Sequence, residues 1–214
     1  MSEKKYVTDS GQYYLDSLTE AQILKDPIEQ FKNWFSEINE KEISYPEAMT
    51  ISTAGKDGRV SSRVVLMKII EEDGLVFFTN YESEKATMLQ ENPFIACNFF
   101  WKEMQRQVRI EGKVSKISKE ESNAYFQTRP KGSQIGAWIS KQSGPVSSRE
   151  EMDEAYAAFE QKHADEVIEV PPFWGGFKVE AMKWEFWQGR PSRLHDRIVF
   201  EKEASEWKVS RLWP

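Results

Sequence analysis

Short turns between successive apolar segments constrain the fold of this chain more than any other feature. From Met49 to Asn80 the sequence has the period of β-strands, interrupted by glycine-bearing or acidic turns at residues 55–58 and 71–74. Turns of this kind join antiparallel neighbours. The region therefore predicts a meander of strands over residues 49–54, 61–70 and 75–80.

Further strands and helices are predicted on both sides of this meander. A helix is expected to begin at Asp26, with Pro27 in its first position, and a short one at Ser83. Other predicted helices occupy residues 119–128 and 148–163, and predicted strand-like segments occupy residues 94–101, 105–117, 173–187 and 198–213. Six or seven antiparallel strands with outer helices predict an α+β fold dominated by antiparallel β structure, either a barrel or a curled sheet. The predicted organisation is an N-terminal arm or lid over residues 1–25 and a single domain over residues 26–214.

Charge and cysteine content exclude several classes of protein. A formal net charge of −6 argues against a general nucleic-acid binder. The single cysteine, Cys97, excludes an internal disulfide, and its apolar surroundings predict a buried, inert thiol. His163 and His195 lack the spacing of a zinc site, so no metal is predicted. Without an apolar signal region or a membrane-length apolar run, the chain is predicted to be soluble and cytoplasmic.

Residues 187–197 concentrate side chains that have no obvious role in a core. The stretch holds three arginines, a tryptophan, an aspartate and one of the two histidines. Gly189 and Pro191 mark a turn. Arg193, His195 and Arg197 follow at spacing two, so a chain extended there would project all three from one face. Such a face could hold an anion or a polarised ring. The alternative is a solvated loop with surface ion pairs.

Three other places carry the residue types of an anion site. They are Arg63 with Lys68 in one strand, Ser83 with Lys85 at a helix N-terminus, and Tyr125, Arg129 and Ser133 around residues 130–132. The odd spacing of Arg63 and Lys68 puts them on opposite strand faces unless a bulge intervenes. Two phosphates would explain this many donors better than one. No dinucleotide fingerprint, P-loop or Ser-His-Asp set is present. Because arginine and histidine cannot accept a pair of electrons, a redox function would need a bound cofactor.

Several runs of sequence resemble one known family in their order and spacing. Residues 63–68 read Arg-Val-Val-Leu-Met-Lys, residues 133–138 read Ser-Gln-Ile-Gly-Ala-Trp, and residues 193–197 read Arg-Leu-His-Asp-Arg. Further matching runs are 77–80, 83–86, 106–108, 125–130, 141–143, 173–177, 185–189 and 211–214. Over about residues 26–214 the chain resembles the pyridoxine/pyridoxamine 5′-phosphate oxidase family.

The resemblance implies an FMN-binding split β-barrel with peripheral helices, assembled as a homodimer with FMN at the interface. It implies oxidation of pyridoxine 5′-phosphate or pyridoxamine 5′-phosphate to pyridoxal 5′-phosphate in vitamin B6 salvage. O2 would be the electron acceptor, giving H2O2, with ammonia released from the amine. The alternatives are a non-catalytic flavin- or pyridoxal-phosphate-binding protein of the same fold, and a flavin reductase that uses a nicotinamide donor.

The family's functional residues carry over onto matching positions of this sequence. Arg193 and His195 would be catalytic and would hold the pyridine ring against the flavin. The implied substrate-binding set is Lys68, Tyr125, Arg129, Ser133, Arg193 and His195. The implied cofactor-binding set is Arg63, Val64, Val65, Leu66, Met67, Lys68, Phe78, Thr79, Ser83, Lys85, Gln107, Gln142, Ser143, Trp187 and Arg197.

Two positions depart from the family pattern. Glu84 stands where the family commonly has an arginine beside the FMN phosphate. It either points to solvent or weakens FMN binding. In the N-terminal arm, the family segment that can close over the substrate is more basic, and Tyr13 alone is retained.

Overall fold

The computed structural model describes residues 13–41, 43–164 and 166–214. The chain divides into two compact units. The first contains the described part of residues 1–46 together with Asn98–Ile110 and Lys183–Pro214; the second contains Glu47–Cys97 and Glu111–Met182. The single domain over residues 26–214 stays a prediction, and the part of the predicted arm before Tyr13 lies outside the described residues.

The described residues form five α-helices and eight β-strands. The helices are Pro27–Asn39 (α1), Glu84–Glu91 (α2), Lys119–Thr128 (α3), Lys131–Ile139 (α4) and Arg149–Lys162 (α5). The strands are Ala48–Ala54 (β1), Val60–Ile70 (β2), Gly74–Asn80 (β3), Phe94–Trp101 (β4), Arg106–Lys116 (β5), Trp174–Gln188 (β6), Asp196–Glu203 (β7) and Glu206–Arg211 (β8). Their order in the sheet is β3-β2-β1-β4-β5-β6-β7-β8, and β3 also pairs with β6. This additional pairing closes the first six strands into a ring, which confirms the predicted antiparallel barrel with helices.

The predicted meander is confirmed in the second unit. β1 and β2 pair from Ala48 with Leu66 to Ala54 with Val60. The turn between them uses Gly58, whose φ of 77° lies in the region that favours glycine. Between β2 and β3 the register shifts from Met67 to Ile69, so that Lys68 is an extra residue. The bulge that would relieve the odd spacing of Arg63 and Lys68 is therefore present.

β3 and β6 approach each other closely where they close the barrel. They pair from Gly74 with Glu180 to Asn80 with Trp174. A Cβ at Gly74 would lie 2.0 Å from the carbonyl oxygen of Val179. Only a residue without a side chain fits at that position.

α1 anchors the core of the first unit. The side chain of Asp26 accepts from the amides of Ile28, at 2.7 Å, and Glu29, at 3.1 Å, which confirms the predicted helix start. The fully buried Phe31 ring lies 5.1 Å from the ring of Phe99 and 5.4 Å from that of Trp184, measured between centroids. One face of α1 thus packs against aromatic side chains of the strands.

The structure differs from the sequence analysis in two elements. No helix was predicted over α4, yet the helix forms because buried Ile135 packs in a cluster with Phe126 and Trp174. The segment 198–213, predicted to be strand-like, is a hairpin of β7 and β8 that turns at Ala204, where φ is 54°. Tertiary packing in the first case and a left-handed turn residue other than glycine in the second overrode the local sequence signal.

Three properties of the chain bear on its function class. Cys97 is buried as predicted, and burial raises the pKa of its thiol to about 12. Among the described residues, no helix combines the length and apolar character needed to span a bilayer. Within the same residues, no group of three or more His, Cys, Asp or Glu side chains is arranged to hold a metal ion.

The close approach of β3 and β6 predicts an asymmetric response to two glycine substitutions. We expect Gly74→Ala to lower the free energy of unfolding by about 3 kcal/mol, because its methyl group must displace strand backbone. Gly136→Ala in α4 is the matched control, since its Cβ would meet no atom within 4 Å. It should leave stability unchanged or raise it by up to about 1 kcal/mol. Urea denaturation of both variants checks this, and equal stabilities would contradict it.

Candidate active site

Lys85, in the first turn of α2, is a buried ammonium group with neutral hydrogen-bond partners. The Lys85 residue is only 8% exposed. The ammonium donates to Gln142 Oε1 at 2.6 Å, Thr79 Oγ1 at 3.3 Å and Ser83 Oγ at 3.4 Å. Burial and the charge of Arg63 lower the pKa of Lys85, against an opposing effect of Glu84. Positive charge is thus held here without a contacting carboxylate among the described residues.

Arg63 adds a second cation beside Lys85. Its guanidinium donates to Thr53 Oγ1 at 2.7 Å, Ser61 O at 2.9 Å and Ser61 Oγ at 2.7 Å. The Glu84 carboxylate lies 3.9 Å from Arg63 Nη2, and the Glu84 side chain is 59% exposed. A long, solvated ion pair of this kind contributes little. We refer to Arg63, Ser83, Lys85 and Gln142 as the α2 cluster, which has the residue types expected of an anion site.

Ser83 holds the N-cap position of α2, as predicted, but its hydroxyl does not cap the helix. Instead, Ser83 Oγ donates to the carbonyl oxygen of Asn80 at 2.7 Å. The residue is completely buried. The amides at the start of α2 therefore receive no side-chain cap, and the positive end of the helix dipole adds to the charge of the cluster.

Arg129 is a partly buried cation of this unit with an unpaired donor. Its Nη1 is buried and has no hydrogen-bond partner among the described residues. The guanidinium carbon lies 4.7 Å above the ring of Trp174. Arg129 ends α3 and directly precedes Pro130, the N-cap of α4, so that Ser133 lies in the first turn of that helix. An unpaired buried donor beside a helix N-terminus is the arrangement expected of an anion site.

Lys68 and Tyr125 are electrostatically linked to Arg129. The ammonium of Lys68 lies 3.4 Å from Glu47 Oε1. Burial raises the pKa of Tyr125, the positive charge of Arg129 lowers it, and the negative charge of Glu47 raises it. The Tyr125 ring stacks on Phe78 with centroids 4.0 Å apart. Glu47 thus contacts Lys68 and also acts on Tyr125, which in turn responds to Arg129. We call Lys68, Tyr125, Arg129 and Ser133 the α4 cluster.

The other predicted cofactor residues of the second unit differ in accessibility. Val64 is 66% exposed, and Val65 and Leu66 are partly exposed on β2. Met67 is buried, which places its side chain in the core. Ser143 lies in an exposed loop with φ of 72°. The β2 surface from Val64 to Leu66 is therefore available to a ligand, whereas the Met67 side chain is not.

In the first unit the predicted extended face is wrong. Residues Pro191–Arg193 form a 3-10 turn, and φ is 56° at Ser192 and 61° at Arg193. β7 begins only at Asp196. The chain turns back before the strand, so Arg193, His195 and Arg197 do not lie at successive outward positions of one strand. Two consecutive left-handed residues other than glycine are strained, a feature that concentrates at functional sites.

His195 is held as a neutral ring with a defined tautomer. The backbone amide of Arg190 donates to His195 Nδ1 at 3.1 Å, so the ring proton belongs on Nε2. Burial and the charge of Arg193 lower the pKa of His195, and Asp196 opposes them. The imidazole therefore offers a fixed N–H donor at Nε2.

Tyr13 packs against this imidazole and was given no role by the sequence analysis. Its ring meets Trp187 edge-on at 5.7 Å and His195 at 5.5 Å between centroids. Gly189 permits the contact, because a Cβ there would lie 2.8 Å from Tyr13 Cγ. The sequence signal that points to Tyr13 is its retention in an arm that otherwise departs from the family pattern. Tyr13, Trp187 and His195 form an aromatic triad.

The remaining predicted residues of the first unit have contrasting partners. Arg193 is exposed, and no hydrogen bond or ion pair joins its side chain to another described residue. Arg197 forms an ion pair with buried Glu185 at 2.8 Å. Gln107 Nε2 donates to Asn98 Oδ1 at 2.6 Å. Arg193 is thus the cation of this group that is available to a ligand.

Comparison with known protein families gives two matches that together span most of the chain. Residues 36–170 match the family model described as "Pyridoxamine 5'-phosphate oxidase". Residues 174–214 match the model described as "Pyridoxine 5'-phosphate oxidase C-terminal dimerisation region".

Individual relatives carry the same name. A pyridoxine/pyridoxamine 5′-phosphate oxidase of Burkholderia multivorans is 48% identical over 205 residues, covering 94% of this chain and 95% of its own length. One from Rubrobacter xylanophilus is 48% identical over 189 residues, covering 88% and 87%.

Solved structures share the fold. PhzG from Burkholderia lata 383, in complex with tetrahydrophenazine-1-carboxylic acid, has a TM-score of 0.88 at 27% identity and covers 94% of this chain and 99% of that one. An FMN-binding protein related to pyridoxamine 5′-phosphate oxidase from Nostoc punctiforme has a TM-score of 0.73 at 17% identity, covering 93% and 100%. At that identity the second likeness shows the fold alone.

The contacts of His195 predict its titration. We expect its pKa below 6.5 and its neutral form protonated on Nε2, because burial and Arg193 disfavour the charged ring and the amide of Arg190 requires a lone pair on Nδ1. Nitrogen-detected NMR titration measures both, and His163→Gln assigns the resonance, since the chain has two histidines. A pKa above 6.5 or an Nδ1–H tautomer would contradict the geometry.

Proposed function

Since the chain belongs to the pyridoxamine 5′-phosphate oxidase family, we propose that it binds FMN and oxidises pyridoxine or pyridoxamine 5′-phosphate to pyridoxal 5′-phosphate. The observation that carries this proposal is two separate cations without carboxylate contacts among the described residues: the buried ammonium of Lys85, and the guanidinium of Arg129, whose Nη1 is buried. Buried charge of this kind is costly unless a partner neutralises it. Two phosphate groups, one on the cofactor and one on the substrate, would supply those partners.

The α2 cluster is proposed to hold the phosphate of FMN. Two cations, the uncapped α2 N-terminus and the Gln142 amide fit a phosphate monoester, which presents several acceptor oxygens. Val64, Val65, Leu66 and Thr79 would line the ring, together with Gln107, Ser143, Trp187 and Arg197. FMN, when bound, supplies the two-electron acceptor that no amino-acid side chain provides.

The α4 cluster is proposed to hold the phosphate of the substrate. Lys68 and Arg129 would neutralise its charge, and Tyr125 and Ser133 would donate hydrogen bonds. Arg193 and His195 would hold the pyridine ring, Arg193 through its available planar guanidinium and His195 through its fixed Nε2–H donor. Correct placement of two rings lowers the barrier to hydride transfer mainly through orientation.

The overall reaction removes two electrons and two hydrogens from the C4′ group of the substrate. We propose that O2 receives them and leaves as H2O2. The alcohol then yields the aldehyde directly, whereas the amine yields an imine that water hydrolyses to the aldehyde and ammonia. We further propose a homodimer with FMN at the subunit interface, a proposal supported by the match of residues 174–214 to a dimerisation region.

A tricyclic carboxylate substrate is the second candidate, because the PhzG structure with tetrahydrophenazine-1-carboxylic acid resembles this chain closely in fold. Two observations favour the phosphorylated pyridine. Identity to the named oxidases, at 48%, exceeds the 27% identity to PhzG. The α4 cluster also offers an arginine with a buried donor, Arg129 Nη1, that has no partner among the described residues.

Purified protein should test the activity directly. We expect it to carry a yellow flavin spectrum and, with pyridoxine 5′-phosphate in air, to yield aldehyde and H2O2. Arg193→Ala should lower kcat by about 100-fold, since it removes ring placement. The control is Arg149→Ala, because Arg149 lies on α5 in an exposed ion pair with Asp153; it should leave kcat unchanged.

Oxidation of tetrahydrophenazine-1-carboxylic acid, but not of the phosphorylated pyridines, would favour the second candidate. A flavin spectrum without turnover would indicate the non-catalytic alternative.

Glu84 should weaken FMN binding through its negative charge beside Arg63. We expect Glu84→Arg to lower the Kd of FMN about tenfold, and Glu84→Gln by a smaller factor, without changing the Kd of riboflavin, which lacks the phosphate. Glu91→Gln, at the other end of α2, is the control. Flavin fluorescence titrations measure these constants. Unchanged FMN affinity would mean that Glu84 acts as a solvated residue at the helix N-terminus.

A further inference from the structure

Glu185 is a buried carboxylate that grips the guanidinium of Arg197 along one edge. The residue is only 5% exposed. Its Oε1 accepts from Arg197 Nε at 2.8 Å, and its Oε2 accepts from Arg197 Nη2 at 3.1 Å. Two parallel hydrogen bonds of this kind fix both the plane and the direction of a guanidinium.

The register of β6 and β7 creates this contact. Glu185 pairs with Val199, and Trp187 pairs with Arg197. Directly opposite residues share a face of an antiparallel pair, and residues two apart on a strand share it too. Glu185, Trp187 and Arg197 therefore lie on one face, where the diagonal separation of Glu185 and Arg197 is within reach of two long side chains.

The opposite edge of the same guanidinium is also held. Arg197 Nη1 donates to the carbonyl oxygen of Trp213 at 2.8 Å. The amide of Leu212 donates to the carbonyl oxygen of Arg197 at 3.0 Å. Each nitrogen of the Arg197 guanidinium thus has a partner. Reorienting it would leave the Glu185 carboxylate short of donors inside the protein, which is unfavourable.

A second arginine contacts the same carboxylate. Arg109 Nη1 donates to Glu185 Oε2 at 3.0 Å, so two arginines share one carboxylate. The hydrogen bonds between Arg197 and Glu185 raise the pKa of Arg197. Arg197 therefore stays charged while its direction is fixed.

We propose that Glu185 is the positioning residue for Arg197 and thereby sets how tightly the protein binds FMN. This inference rests on the proposed function, in which Arg197 belongs to the cofactor-binding set. Glu185 itself belongs to none of the predicted sets. Its role is to keep the Arg197 guanidinium in the orientation that the ligand requires before the ligand arrives.

A double-mutant cycle tests this role. The Kd of FMN, measured by flavin fluorescence, is compared for the wild type, Glu185→Gln, Arg197→Ala and the double variant. We expect Glu185→Gln to raise the Kd about tenfold alone, but by less than about twofold in the Arg197→Ala background. Glu201→Gln removes an exposed carboxylate of β7, 3.4 Å from Lys183, and should leave the Kd unchanged.

The opposite outcomes are distinct. If Glu185→Gln weakens FMN equally in both backgrounds, or in neither, Glu185 does not act through Arg197 and the inference is overturned. If the wild type does not bind FMN, the proposed function fails as well. Should Glu185→Gln not fold, as judged by circular dichroism, Glu185→Asp replaces it in the cycle, because it keeps the charge and shortens the reach. A smaller increase in Kd with the same dependence on Arg197 is then expected, and an increase independent of Arg197 overturns the inference.

Discussion

The close backbone approach of β3 to β6 is the constraint on which the second unit depends. Gly74 has no space for a side chain beside the carbonyl oxygen of Val179, and a Cβ at Gly175 would lie 2.4 Å from the hydroxyl oxygen of Tyr81. Closing the barrel at this position fixes the end of β3, where Tyr81 donates its amide to Phe173. α2 begins only three residues later. The proposed anion site at the start of α2 is therefore held by the strand pairing that closes the barrel.

Buried positive charge in this unit has a thermodynamic consequence. The ammonium of Lys85 and the guanidinium of Arg129 are desolvated, and burial lowers the pKa of both. Folding without an anion leaves that desolvation only partly offset by neutral acceptors and aromatic rings. Ligands that bind the folded state and bring negative charge should stabilise it through linkage. The clusters thus favour binding at some cost to the stability of the unliganded chain, as is common at functional sites.

How far the sequence predicted this structure depends on the range of the interactions involved. Strand alternation, short turns and the Asp26 cap are local signals, and the elements that rest on them are confirmed. α4 was missed because Gly132 and Gly136 weaken its local propensity, while its stability comes from packing around Ile135.

The turn that Gly189 and Pro191 indicate is present, but its continuation through Arg193 is not predicted, for a different reason. A spacing of two resembles a strand, and the left-handed φ of Ser192 and Arg193 has no sequence signature without glycine. The same limit applies to the aromatic triad, since Tyr13 is 174 residues from Trp187 in the sequence and no local pattern joins them. The sequence thus identifies candidate residues, but the long-range contacts that assemble them into a site come from the fold alone.

The partners of the arginines separate structural from ligand-binding roles. Buried Arg106 forms ion pairs with Glu37, at 2.5 Å from Nη1 to Oε2, and with Asp16, at 2.9 Å from Nη2 to Oδ2. These pairs tie α1 and the segment after Tyr13 to the start of β5. Arg129 has an unpaired buried donor, and Arg193 is exposed without an ion pair among the described residues. A buried cation matched by two carboxylates is already neutralised and has little to offer a ligand. A cation left unmatched retains its attraction for an anion. By this criterion Arg197 lies between the structural and the ligand-binding arginines, because it shares the Glu185 carboxylate with Arg109. Glu185 fixes the direction of the Arg197 guanidinium, and the shared carboxylate leaves Arg197 able to attract an anion.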